Sequence, residues 1–425
     1  MEGEVRSMRA LLGLLMAALV VTGCGRAGLG PVPQSGDYKL YTATSTQTGQ
    51  LVSVIDTRSH AVERSLPSGT PSPDWTHLYS VEGTTLSDLD PKTGATRHTM
   101  HLQGPFQLPP ATASGLPGGL SQDGHWLVLQ SFDANGTDLP TATHFMVIDT
   151  SYKNAAKRID TKGYFQFDAV SNDGQRVYLI QYLASNSYFV RDVNVGSGVL
   201  DPTIIVDKTD GSSAMSGLRL SGVASHDGQW LYSVYIREHQ GAFIHALNLQ
   251  GNIAVCIDLP GSGYASSGDG LHWSLAMSPD GSHLYAANGA MDLVADIDTS
   301  NGFPNLTRTV KIGTAPQSAG LVQGVEAKGF GSNGLVVSPD GKSLVTLGVH
   351  GVVWIDTASL HATASQLDWT VWSIALSPNG DNLYAMSDGG MIAEIAMAEP
   401  HAASTFPGGP GQPMALLRVE DAQRP

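Results

Sequence analysis

The chain is poor in cysteine, in charge and in long apolar runs, and each shortage excludes something. Two cysteines occur in 425 residues, Cys24 and Cys256. Cys24 ends an N-terminal apolar stretch, so the chain beyond it holds a single thiol and no disulfide framework. Cys256 lies in the apolar run 253–259 (IAVCIDL), with no cation beside it to activate a thiolate, and reads as a small packed hydrophobe. Charged residues make up 14% of the chain, with 23 Lys and Arg against 38 Asp and Glu and no basic cluster, for a net charge of −15. Binding of nucleic acid needs clustered cations to neutralise phosphates, so it is excluded, as is electrostatic docking on anionic lipid. The one long apolar run, 10–21, has twelve residues, where a membrane-spanning helix needs roughly twenty.

Local catalytic signatures are missing too. There is no Gly-x-Ser-x-Gly elbow, Walker loop, HExxH or CxxC. His98 and His101, three apart on an expected strand, face opposite ways and are not set to share a metal. The stretch DLDPKTG from Asp88 lacks the full ligand series of a calcium loop. No metal and no cofactor is called for.

The features that are present begin with a leader. Arg6 and Arg9 precede the apolar run, and Val21-Thr22-Gly23-Cys24 closes it, the form of a signal peptide over 1–23. Glu2 and Glu4 are unusual in such a region, which leaves Met8 as an alternative start. The closing tetrapeptide resembles the lipobox of bacterial lipoproteins. That resemblance implies a diacylglycerol on Cys24, and two acyl chains suffice for lasting attachment. The expected place is the extracytoplasmic face of the cell membrane, with 24–36 as lipidated Cys and flexible tether and 37–425 as the folded domain.

Self-similarity dominates that domain. Ser-x-Asp/Asn-Gly followed by an apolar strand begins at Ser121, Ser171, Ser225, Ser278, Ser338 and Ser377, with a degenerate copy, SPDWTHLYS, at Ser72. Copies start 49, 50, 54, 53, 60 and 39 residues apart, about one four-stranded blade each. The phrase suits a tight turn between two strands. A third strand ends in Asp-Thr, as in VSVIDT from Val52 and VVWIDT from Val352, and a fourth comes after it. Four strands per repeat, and no helical periodicity after the leader, predict an all-β fold, a single β-propeller. The repeat resembles that of YVTN-type (WD40-like) propellers over nearly all of 37–420. That family includes surface proteins, lactonases and cofactor-dependent dehydrogenases.

Second strands begin near Lys39, His77, Trp126, Arg176, Trp230, His283, Ser343 and Asn382, which makes eight blades, with seven as the alternative. The first lacks an innermost strand, which 413–420 (PMALLRVE) supplies, closing the ring. Between Leu66 and Asp74 there is little room for another. Long insertions at 103–118, 208–217, 261–271, 315–333 and 132–143 all fall on the face opposite the tight turns, where function is expected. Innermost strands start on that face with Tyr164, Phe167, Arg219, His272, Trp273, Asp368, Trp369 and Trp372. Around an axial mouth these would suit a small polar or glycan-like ligand, or the aromatics would plug the channel. The leading expectation is a non-catalytic binding or scaffolding module for an envelope protein, glycan or small ligand. The alternative is a propeller enzyme, a lactonase-like hydrolase or quinoprotein-like dehydrogenase.

Overall fold

Each repeat folds around a serine turn that satisfies its own polar groups. In all seven copies the Ser Oγ donates to the Asp or Asn side chain two residues on, at 2.6–2.9 Å. The same oxygen accepts the backbone N–H five residues on, at 2.9–3.0 Å, which pins the start of the second strand. Six copies have Gly at the fourth position, all at φ between 66° and 78°. The degenerate copy puts Trp75 there at φ 57°, buried and edge-on to Tyr41 at 4.9 Å. The Asp-Thr ending has a matching task. Thr150, Thr299 and Thr357 each donate from Oγ1 to the carbonyl of the turn glycine (Gly124, Gly281, Gly341) at 2.8–2.9 Å.

The computed structural model describes residues 37–133, 139–183, 187–207, 214–313, 333–398, 400 and 402–422. These belong to one unit, Ser35–Pro425. Cys24, the leader, the tether and nearly all of the 315–333 loop lie outside the described residues. Among the described residues, eight antiparallel sheets stand as blades in a ring, which settles the count at eight. In the first blade Ala61–Pro67, Gly49–Asp56 and Tyr38–Thr46 are joined innermost by Gln412–Asp421, so the C-terminal strand closes the ring as expected. The tight span before Asp74 supplies an innermost strand of two residues, Thr70–Pro71.

The third blade departs from the pattern. Its outer strands are Trp126–Asp133, Ala142–Asp149 and Lys157–Lys162. Its innermost position is broken: Gln107 pairs with Gln130, Leu120 pairs with Leu127, and 109–118 leaves the sheet between them. This segment is a hairpin finger, closed by Gly118 N–H to Pro109 O and Ala111 N–H to Leu116 O, both 2.7 Å. It crosses the centre of the ring. Ala113 N–H donates to Leu220 O of the fifth blade at 3.2 Å, and Leu116 packs on Ala43, Met414 and Ala415 of the first.

Innermost strands also carry bulges. Asp168, Leu220, Trp372 and Leu417 are each an extra residue relative to the neighbouring strand. A bulge re-aims its side chain and carbonyl, and these four lie on the strands nearest the axis.

Candidate active site

The fourth blade is Phe165–Val170, Arg176–Tyr182, Ser187–Asn194 and Val199–Leu200. The fifth is Leu218–Ala224, Trp230–Ile236, Ala242–Asn248 and Ala254–Asp258. Strand register sets two rows of polar and aromatic side chains against each other at their seam. On the fourth blade Tyr182 stands opposite Tyr188, and Tyr164 stacks on Tyr182 with ring centroids 5.0 Å apart. On the fifth, Arg219 stands opposite Tyr235, and Gly222, Ser233 and His245 succeed one another across three strands. Tyr188 and Tyr235 stack across the seam at 5.5 Å.

At the axial end of this seam Arg219 Nη1 lies 2.9 Å from Asp168 Oδ1, with Asp168 almost wholly buried. Burial opposes the Arg219 charge, but Asp168 offsets it and holds the guanidinium above its ordinary pKa. Deeper in, burial pushes His245 down to about 4, against the pull of Asp168, so its imidazole is neutral near pH 7. Burial also raises Tyr182 to about 12 and keeps Tyr188 and Tyr235 protonated.

The protein leaves several polar atoms here unspent. Arg219 Nε, Ser233 Oγ and His245 Nε2 are buried with no hydrogen-bond partner, and the hydroxyls of Tyr188 and Tyr235 have none beyond each other. Buried polar groups are nearly always paired, so a cluster of orphans marks this seam as a candidate polar chamber. Ser233 and Arg219 pack tightly on Gly222: a Cβ there would meet Ser233 Oγ at 3.0 Å and Arg219 Nη2 at 3.1 Å. Among the described residues no group of three metal-ligating side chains is assembled. Arg219 offers an unspent donor for an anion or carbonyl oxygen, and the neutral His245 offers a proton acceptor.

Of the residues that sequence places at the axial mouth, Tyr164 and Arg219 are at this seam. Phe167 turns into the apolar core between the third and fourth blades, its N–H 3.2 Å from Gln130 Oε1. Trp273 is 1% exposed, inside the core of the fifth and sixth blades. His272 ends the short 3-10 helix Gly268–His272, half-buried. Asp368 is exposed, and Trp369 packs on the core of the seventh and eighth blades. Trp372 donates from Nε1 to Met414 O at 2.9 Å. Across the mouth itself runs the finger. Sequence reasoning missed Tyr182, Tyr188, Ser233, Tyr235 and His245. The signal was a histidine and a serine in strands that are otherwise apolar, ALN after AFIH and VYI after WLYS.

No protein-family model matches the chain, and no curated protein matches it in sequence. Solved structures do. A dihydro-heme d1 dehydrogenase, NirN, superposes with a TM-score of 0.55 at 13% identity, over 91% of this chain and 75% of that one. AztD from Citrobacter koseri superposes with a TM-score of 0.53 at 13% identity, over 91% and 98%. A periplasmic gluconolactonase from Pseudomonas aeruginosa gives 0.44 at 18% identity, over 90% and 98%. The expectation of a non-catalytic binding or scaffolding module is thereby corrected. A propeller named as an enzyme, the dehydrogenase, stands among the similar structures, and the enzyme-like alternative becomes the reading to propose. At these identities the likeness is to the propeller fold, and the reaction has to be argued from the residues of the chamber.

Proposed function

We propose that the chain is a propeller enzyme, a lactonase-like hydrolase whose active site is the chamber between the fourth and fifth blades. One observation carries this reading: a neutral histidine with a free Nε2 lies within electrostatic reach of a buried arginine whose Nε is unspent. His245 Nε2 takes a proton from water as the water oxygen adds to the lactone carbonyl. Arg219 Nε–H donates to the oxyanion that develops. The ring C–O bond then breaks, the leaving alkoxide recovers the proton from the imidazolium, and a hydroxy acid leaves. The purified mature chain, assayed by pH-stat against five- and six-membered lactones, should turn over at least one of them. Turnover should fall at least about a hundredfold in Arg219→Met, the usual scale for one oxyanion donor. Absence of turnover on every lactone would overturn the assignment.

A dehydrogenase is the second reading, favoured by a continuous run of rings. Phe132, Tyr164, Tyr182, Tyr188, Tyr235 and Phe243 succeed one another with centroids 5.0–6.3 Å apart, a route for single electrons. Visible absorbance in the purified chain would support it, and a colourless protein would count against it.

The repeat is read as YVTN-type and the chain as a lipoprotein, held by Cys24 on the extracytoplasmic face of the membrane. Labelling of cells with an alkynyl fatty acid should mark the chain and should fail in Cys24→Ala. Equal labelling of both would refute the anchor.

A further inference from the structure

We infer that the finger 109–118 is a gate over the chamber, latched by the hydrogen bond from Ala113 N–H to Leu220 O and able to swing back toward the first two blades. Three separate features point to it. The latch is thin: the tip meets the fifth blade through one backbone hydrogen bond of 3.2 Å, and its acceptor is the bulged residue next to Arg219. The body is stiff. Its strands are bridged at Pro110 and Pro117, and Pro109 and Ala111 take part in its own hydrogen bonds, so it moves as a unit.

The third feature is space behind it. A pocket of about 540 Å³ lies between the finger and Ser68 and Thr84, with Pro110, Gly115 and Pro117 of the finger as its other wall. Leu116 stays seated on the first blade, on the same side as this pocket, and serves as the pivot. Swinging toward the pocket therefore breaks the latch without unseating the anchor. The gate rests on the chamber being the site, but not on which reaction occurs there.

Its test reads access rather than activity. Diethyl pyrocarbonate acylates neutral imidazole, so the rate at His245 relative to the exposed His239 reports opening of the chamber. Ala113 is the second residue of a turn closed by Gly115 N–H to Thr112 O, a position that accepts proline, so Ala113→Pro removes the latch donor and keeps the turn. It should raise the His245 rate about tenfold, the scale of one net hydrogen bond. Ser68→Trp, on the rim of the pocket, should lower it several-fold. Equal rates in all three proteins would overturn the gate. Hydrogen exchange of the unmodified chain gives a check that needs no variant: the Ala113 amide should exchange by local opening, insensitive to low denaturant. Exchange of Ala113 only through global unfolding would overturn the inference equally.

Discussion

Arg219 and Asp168 sit on the innermost strands of adjacent blades and meet across their seam at 2.9 Å, with the Asp168 side chain 2% exposed. A buried charge that loses its partner is expensive, whereas loss of both partners is mild. Arg219→Met should therefore lower the free energy of unfolding by roughly 3–5 kcal/mol. The double variant with Asp168→Leu should recover much of that. Urea titration of the two proteins decides it, and equal stability of single and double variants would show that the pair does not carry the seam.

His245 makes stability depend on pH. Its pKa is about 4 in the folded chain and 6.5 when unfolded, so the unfolded state takes up the proton first as pH falls. The contribution of the neutral, buried imidazole is complete above about 6.5 and is lost as pH falls toward 4. It amounts to roughly 3 kcal/mol. Midpoints of denaturation measured between pH 7 and 4 should fall for the natural chain and fall less for His245→Gln. Parallel curves would place the pH dependence elsewhere.

Trp75 stands where six sister turns have glycine, in a left-handed conformation that strains a side-chain-bearing residue. Removing its ring from the core of the first two blades costs stability in any variant, roughly 3–5 kcal/mol for Trp→Ala. Glycine in its place also relieves the backbone. Trp75→Gly should be more stable than Trp75→Ala by roughly 1 kcal/mol. The reverse order in thermal melts would mean that the turn is not strained.

Removal of residues 412–425 would strip the inner edge of Tyr38–Thr46, which pairs with Gln412–Asp421 over almost its whole length. An open ring exposes two strand edges, so the truncated chain should lose cooperative unfolding and self-associate. A monomer with an unchanged melt would show that the ring does not depend on this closure.

The propeller was legible in the sequence because its rules are local. The Ser-x-Asp-Gly turn and the Asp-Thr ending make their hydrogen bonds within about 26 residues, so each repeat declares itself. The closing strand was legible by elimination, since the first blade lacked a partner. The chamber was not, because it rests on register between blades. Trp273 immediately precedes the innermost strand Ser274–Met277 and Arg219 is second in Leu218–Ala224, yet the first lies in the core and the second at the seam. The finger was less visible still: 103–118 reads as a long loop, and only the ring brings Ala113 to Leu220, more than a hundred residues away.

The central claim is that His245 is the proton acceptor of a hydrolytic site, and lactone hydrolysis by His245→Gln tests it most directly. Glutamine keeps a polar side chain but cannot take up the proton. With a lactone that the natural chain opens, the variant should keep its melting temperature within a few degrees and lose activity about a hundredfold or more. Hydrolysis at the natural rate by a folded His245→Gln would contradict the claim outright.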